Sequence, residues 1–147
     1  MHTALINIAH ARFDLIDPRI AEFVGNLDRV NAAAERSPGF VWRLQSDSGN
    51  ATDIDVGGDP LFLANMSVWE SVEALEKFAY QSLHLEVLQK KSKWFERPTR
   101  TPLVLWWVQA GHIPSVAEAK ERFELLWRNG PTPAAFTFKE RFPPPQE

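Results

Sequence analysis

The stretch LVLWWV, residues 103–108, constrains this chain more than any other. Successive side chains of a β-strand point to opposite faces of its sheet. Trp106 and Trp107 therefore cannot share a face, and a sheet carrying both needs apolar cover on two sides. Parity extends the requirement to the other strand-like runs. One face collects Ile6, Ile8, Phe40, Trp42, Leu44, Phe62, Ala64, Met66, Val104, Trp106 and Val108, which are almost purely apolar. The other collects Leu5, Asn7, Ala9, Val41, Arg43, Gln45, Leu63, Asn65, Leu105, Trp107 and Gln109, where amides and a guanidinium interrupt the bulk. Each large apolar side chain left in water forfeits about 1.5–3 kcal/mol. A second sheet laid over the first satisfies the demand, and a homodimer is its simplest source.

Strand and helix periodicities follow one another as β-α-β-β-α-β, the split βαβ or ferredoxin-like pattern with an antiparallel sheet. Thr3 to Arg12 reads as the first strand. Asp17-Pro18 then opens a helix with a capping carboxylate and a proline in the first position, and Ile20, Phe23, Val24, Leu27, Val30 and Ala34 recur along it at helical spacing. Pro38-Gly39 stops it. Phe40 to Ser46 and Leu61 to Val68 are the next strands, joined by DSGNATDIDVGGDP, a long polar connection. A helix carrying Val72, Leu75 and Ala79 follows, then a further helical segment from Ser82 to about Glu96 that Pro98 and Pro102 close. Leu103 to Ala110 is the fourth strand. Ser115 and Glu118 have the spacing of a capping box, and Val116, Ala119, Phe123, Leu126 and Trp127 give the last helix a buried stripe that ends at Gly130. GPTPAAFTF, residues 130–138, offers a turn and a short strand. The expected fold class is α+β, one domain over residues 1–147 with a core at 3–110 and a C-terminal extension at 111–147.

The chain has 147 residues and no cysteine, which excludes disulfide scaffolds, thiolate zinc sites and cysteine nucleophiles and fits a reducing cytoplasm. MHTALINIAHARF has no basic leader before an apolar run, and no stretch reaches the ~20 apolar residues of a membrane span. A soluble cytoplasmic protein with no membrane partner is expected. A formal charge of -3 gives no general attraction to phosphate backbones. KKSKWFERPTR, residues 90–100, stands against that balance, interleaving Lys90, Lys91, Lys93, Arg97 and Arg100 with Trp94 and Phe95. Such a patch can stack on single-stranded nucleic acid. Cations at a helix end, over aromatics that anchor that end to the core, account for the same residues and are the preferred reading. His2, His10, His84 and His112 lack metal-ligand spacing, and no glycine-rich phosphate loop or nucleophile elbow occurs. Neither metal nor cofactor is indicated, nor is nucleic acid a partner.

The element order resembles the dimeric α/β-barrel superfamily over about residues 3–110. Its members include antibiotic-biosynthesis monooxygenases, stress-responsive barrel proteins and polyketide cyclases of the olivetolic acid cyclase kind. Over nearly the whole chain, SPGFVWRLQ, NMSVWESVEALEKF, YQSLH, LWWVQAGHIP and GPTPAAFTF resemble a bacterial family numbered thirty-two ninety-one in the domain-of-unknown-function series. The likeness implies two ferredoxin-like sheets packed face to face in a homodimer. WESVEALEKFAYQSLH is similar to the cyclase helix that carries a catalytic tyrosine and, six residues on, a histidine. His84 falls on the histidine position, Phe78 on the tyrosine position, and Tyr80 is the phenol left to act from another angle. Asn65 and Trp69 match the asparagine and tryptophan that quinone-forming monooxygenases place four apart. Haem-degrading relatives need an Asn, Trp and His set. Asn7 matches the first, but Phe78 and Leu88 stand at the other two, which argues against haem degradation.

An imidazole, with an unperturbed pKa near ~6.5, can take and return a proton at neutrality. His84 lies one helical turn after Tyr80, whose phenol can donate to a developing oxyanion. Asn65 can hold a substrate carbonyl or phenolate. Trp69, Trp107, Phe78 and Asn7 can line the pocket on the mixed face, and Arg43 can bind a carboxylate or pair with an acid of a partner subunit. Plainer roles exist for each: boundary residues with wetted tips, a structural amide, a core tryptophan, and local hydrogen bonds for His10 and His112. The functional expectation is a cofactor-independent oxygenation or cyclisation of a small, flat, hydrophobic molecule, aromatic or polyketide-like. Proton removal at His84 starts it, and Tyr80 or Asn65 steadies the enolate or phenolate. The alternative is a non-catalytic ligand-binding or accessory dimer.

Overall fold

The computed structural model of the chain describes residues 1–14, 16–45, 62–80 and 91–145. The apolar runs form strands β1 (His2–His10), β2 (Phe40–Arg43), β3 (Phe62–Trp69) and β4 (Leu103–Val108), in one antiparallel sheet of order β2-β3-β1-β4. The helices are α1 (Ala21–Glu35), α2 (Val72–Ala79), the short α3 (Lys91–Trp94) and α4 (Val116–Asn129). The α+β, ferredoxin-like order inferred above is the observed one. Side-chain caps set the helix starts: Asp17 accepts from the Arg19 amide at a 3₁₀ turn leading into α1, Ser71 from Ala74, and Ser115 from Glu118. The 47–60 connection and residues 82–90 of the expected second helical segment lie outside the described residues.

The two faces of the sheet are covered by different parts of the same chain. Leu5, Trp69 and Leu105 pack under α1 and α2 through Ala34, Val72, Leu75 and Phe78. On the opposite face, Ala4, Ile6, Met66, Val68, Val104 and Trp106 pack under α4 through Ala119, Phe123 and Leu126. This corrects the expectation that a second subunit must hide the double tryptophan. Trp106 is 0% exposed within a single chain. Trp107 is half-buried, its ring 6.0 Å from Phe136 and its indole N–H donating to the Phe142 carbonyl at 3.1 Å. The extension supplies both covers, α4 on one side and the 136–142 segment on the other, so burial alone no longer calls for a dimer.

Parity also misplaced one aromatic. Phe40 pairs with Trp69 and Trp42 with Val68, a register shift that puts an extra residue, Val41, into β2. A bulge of this kind reverses the alternation. Phe40 therefore meets Trp69 edge-on at 5.4 Å on the α1–α2 face, while Trp42 packs on the α4 face. The turn before β2 depends on Gly39, at φ 87°, whose carbonyl accepts from the Glu70 amide at 2.7 Å. A Cβ there would sit 2.5 Å from the Ala74 Cβ of α2.

The C-terminal segment expected to form a short strand instead turns on itself at Thr132–Ala135 and meets β4 through one reciprocal bridge, Leu105 with Phe136, by backbone bonds of 2.8 and 2.9 Å. That bridge blunts part of the outer edge of β4. At the far end of β1, Trp94 is buried with Ala11 and Ile20, and Phe13, Phe23 and Phe95 pack around them. The aromatics of the basic segment are thus spent on the core and offer no platform for stacking bases.

Candidate functional site

Asn7 of β1 and Asn65 of β3 are direct cross-strand partners on the two central strands. Their Cβ atoms are within about 4.5–5.5 Å in such a pair. Asn65 is exposed and Asn7 half-buried, yet Leu5, Leu63 and Ser67 beside them on the same face are buried. On this face Ala34, Val72, Leu75 and Phe78 of α1 and α2 gather over Leu5, Trp69 and Leu105 at one end, and Leu63 is buried at the other. Gln45, next in register beyond Arg43 and Ser67, is exposed in line with them. Neither asparagine side chain hydrogen-bonds to a described residue, so two amides, each with two N–H donors and a carbonyl acceptor, stand side by side uncommitted among the described residues.

The other predicted residues are placed differently. Trp69 shares a face with Asn65 but lies about 13 Å further along the strand at ~3.3 Å per residue. It is 1% exposed, stacked on Phe78 at 5.2 Å and donating its indole N–H to the Ser67 hydroxyl at 2.9 Å. Phe78 is buried with it. Arg43, whose side chain is 11% exposed, binds Glu35 of α1 at 2.8 Å. Tyr80 is the C-cap of α2 and 61% exposed. Trp107 lies at the same end as Trp69, across β1 from it through Thr3. His84 is outside the described residues. The structure thus joins Asn65 to Asn7, groups Trp69 with Phe78, and keeps Arg43 on an internal ion pair.

One polar cluster was missed by sequence reasoning. Glu118 binds the indole N–H of buried Trp106 with one carboxylate oxygen at 2.8 Å and His112 with the other at 2.7 Å. Burial pushes its carboxyl upward, but bonds from His112 and Trp106 and the nearby charges of His112 and Arg122 outweigh that and hold its pKa below the ordinary value. The Ser115–Glu118 spacing was the available signal, read as a two-way capping box. Ser115 does cap the Glu118 amide, while the carboxylate turns into the sheet. A cleft of about 580 Å3 adjoins this cluster and includes Trp107 and Arg122. His10 pairs with Glu96 at 2.9 Å. Among the described residues no group of three His, Cys, Asp or Glu could hold a metal, and no helix is long and apolar enough to cross a membrane.

The family model for a domain of unknown function, DUF3291, matches residues 2–147. No protein of curated function matches the chain. Among solved structures, SnoaB, a cofactor-independent oxygenase from Streptomyces nogalater, superposes with a TM-score of 0.53 at 17% identity, over 78% of this chain and 98% of that one. A candidate antibiotic biosynthesis monooxygenase from Nitrosomonas europaea gives 0.51 at 14% identity, over 76% and 94%. Rv0793 from Mycobacterium tuberculosis gives 0.53 at 14%, over 77% and 100%. At these identities the likeness is one of fold.

Proposed function

The chain belongs to the DUF3291 family, and from its monooxygenase-type fold and the amide pair we propose a small-molecule enzyme that works without a cofactor on a flat hydrophobic substrate. The observation that carries the reading is Asn7 beside Asn65 on the central strands, neither amide bonded among the described residues. Two amide N–H groups converging on one point can hold a carbonyl and gain strength as it becomes an enolate or phenolate. His84 takes the proton in this scheme, and Tyr80, exposed at the end of α2, is the second donor. The carbanion so formed is the species that either reacts with oxygen or closes a ring. The fold neighbour described as a cofactor-independent oxygenase supports the first outcome.

Trp69, Phe78 and Arg43 serve in this reading as the rigid floor next to the site. We also propose a homodimer, resting on the resemblance alone now that α4 covers the sheet; a sedimentation boundary at the monomer mass of 16.8 kDa at micromolar concentration removes it. The functional test begins with mass spectrometry of ligands that copurify with the chain, followed by oxygen-uptake and cyclisation assays on the compound found. Turnover that survives in both Asn65→Ala and His84→Ala overturns the scheme. A ligand that the parent chain retains and does not convert identifies the non-catalytic binding protein instead.

A further inference from the structure

The basic segment 90–100 ends in a cation that stacks on α4. Arg100 places its guanidinium 4.8 Å from the ring centroid of Trp127, in the last turn of α4. Trp127 is itself fixed, stacked on Phe123 at 5.0 Å and donating its indole N–H to the Thr101 carbonyl at 3.0 Å. The loop before β4 and the end of α4 thereby form a groove of about 1090 Å3, lined by the cations Arg100, Arg128 and Lys139, the threonines Thr99, Thr101 and Thr137, and the carboxylate Glu124.

We propose that this groove binds the phosphate group of a small organic phosphate. The charge balance decides for an anion. Arg19, Arg43 and Arg141 each pair with a carboxylate, but Arg100, Arg128 and Lys139 make no ion pair among the described residues. Glu124 offsets one charge and the carbonyl end of α4 about half of another, leaving roughly +1.5 in the groove. The chain as a whole carries -3, but screening over about 8 Å at physiological salt makes the local sign the one a ligand meets. Two guanidinium forks, an ammonium and hydroxyl donors suit the three oxygens of a phosphate better than a lone carboxylate. The stacking of Arg100 on Trp127 fixes one fork in advance, which lowers the ordering cost of binding. The volume exceeds what phosphate needs, and Pro98, Pro131 and Leu126 supply apolar wall for an organic remainder.

The site is separate from the amide pair, so its test does not depend on the proposed reaction. Calorimetric titration of the full chain with phenyl phosphate and with inorganic phosphate reads it directly. Expected is saturable one-to-one binding, tighter for phenyl phosphate, weakening as salt rises, and reduced by roughly tenfold in each of Arg100→Ala and Arg128→Ala. Arg19→Ala, remote and paired with Asp17, leaves it unchanged. Absence of saturation at millimolar phosphate, or equal affinity in the parent and the groove variants, overturns the proposal; equal affinity for the two ligands overturns the organic part of it. If Arg100→Ala does not fold, the same loss of affinity is read in Arg128→Ala and in Lys139→Ala, whose side chains are exposed.

Discussion

Glu118 is where the extension is joined chemically to the sheet, and a double-mutant cycle with Trp106 measures that joint. Trp106 is wholly buried, and its N–H has the Glu118 carboxylate 2.8 Å away. The Glu118 side chain is only 21% exposed. A hydrogen bond to a charged group contributes about 1.5–3 kcal/mol, and a buried donor stripped of its acceptor costs about 1–3 kcal/mol. Loss of the half-exposed His112 pair adds about 0.2–1 kcal/mol. Glu118→Ala is therefore expected to destabilise by about 2–4 kcal/mol at neutral pH, read from urea unfolding with an unchanged m-value. Trp106→Phe removes the donor along with some packing. The cycle isolates the bond, with an expected coupling of about 1.5–3 kcal/mol. Because the folded pKa of Glu118 is depressed below 4.5, its contribution is complete above that value and disappears as pH falls through the lower folded one. A coupling below about 0.5 kcal/mol at pH 7, or one that grows on acidification, would refute the reasoning.

Gly39→Ala meets two penalties, a left-handed backbone and the Ala74 Cβ at 2.5 Å; a loss of about 2–4 kcal/mol is expected by chemical denaturation, and under 1 kcal/mol contradicts the close approach. Phe123→Ala empties the contact of α4 with the sheet and should cost about 3–5 kcal/mol, together with a rise in dye binding to the bared face. Asn65→Ala should leave stability within about ±0.5 kcal/mol, as an unbonded exposed amide does, while abolishing ligand retention. A large stability loss would show that Asn65 is a structural group.

The strand order and helix starts were legible because parity, periodicity and caps are local. Ser115 and Asp17 sit where the spacing put them. Phe40 was misassigned because a bulge leaves no mark in alternation: Phe40 and Trp42 look equivalent until the pairing with Trp69 and Val68 is known. Asn65 and Trp69 share a face as expected, but one is exposed and the other buried under α1 and α2. That difference is decided by packing between segments distant in sequence. Likewise, Glu118 read as a local capping residue because nothing in its neighbours announces Trp106, which reaches it from β4 on the face that α4 covers.

The double tryptophan shows most clearly what parity can and cannot deliver. It stated correctly that both faces need cover, and it could not say from which chain. Here the residues after 112 do both tasks, through Phe123 and Leu126 over Trp106 and through Phe136 and Phe142 beside Trp107. Three links pin the second cover: the Leu105–Phe136 bridge, the Trp107–Phe142 hydrogen bond and the Arg141–Glu76 ion pair. A chain ended at Ile113 loses all of them and exposes both indoles at once. Bared faces of this kind associate, at about 1.5–3 kcal/mol for each large side chain removed from water. The shortened chain is therefore expected to sediment as dimers or larger species, with red-shifted tryptophan emission when diluted. If it remains a monomer with the parent's emission and stability, the extension is ornament, and the sheet must be covered by something other than α4 and the 136–142 segment.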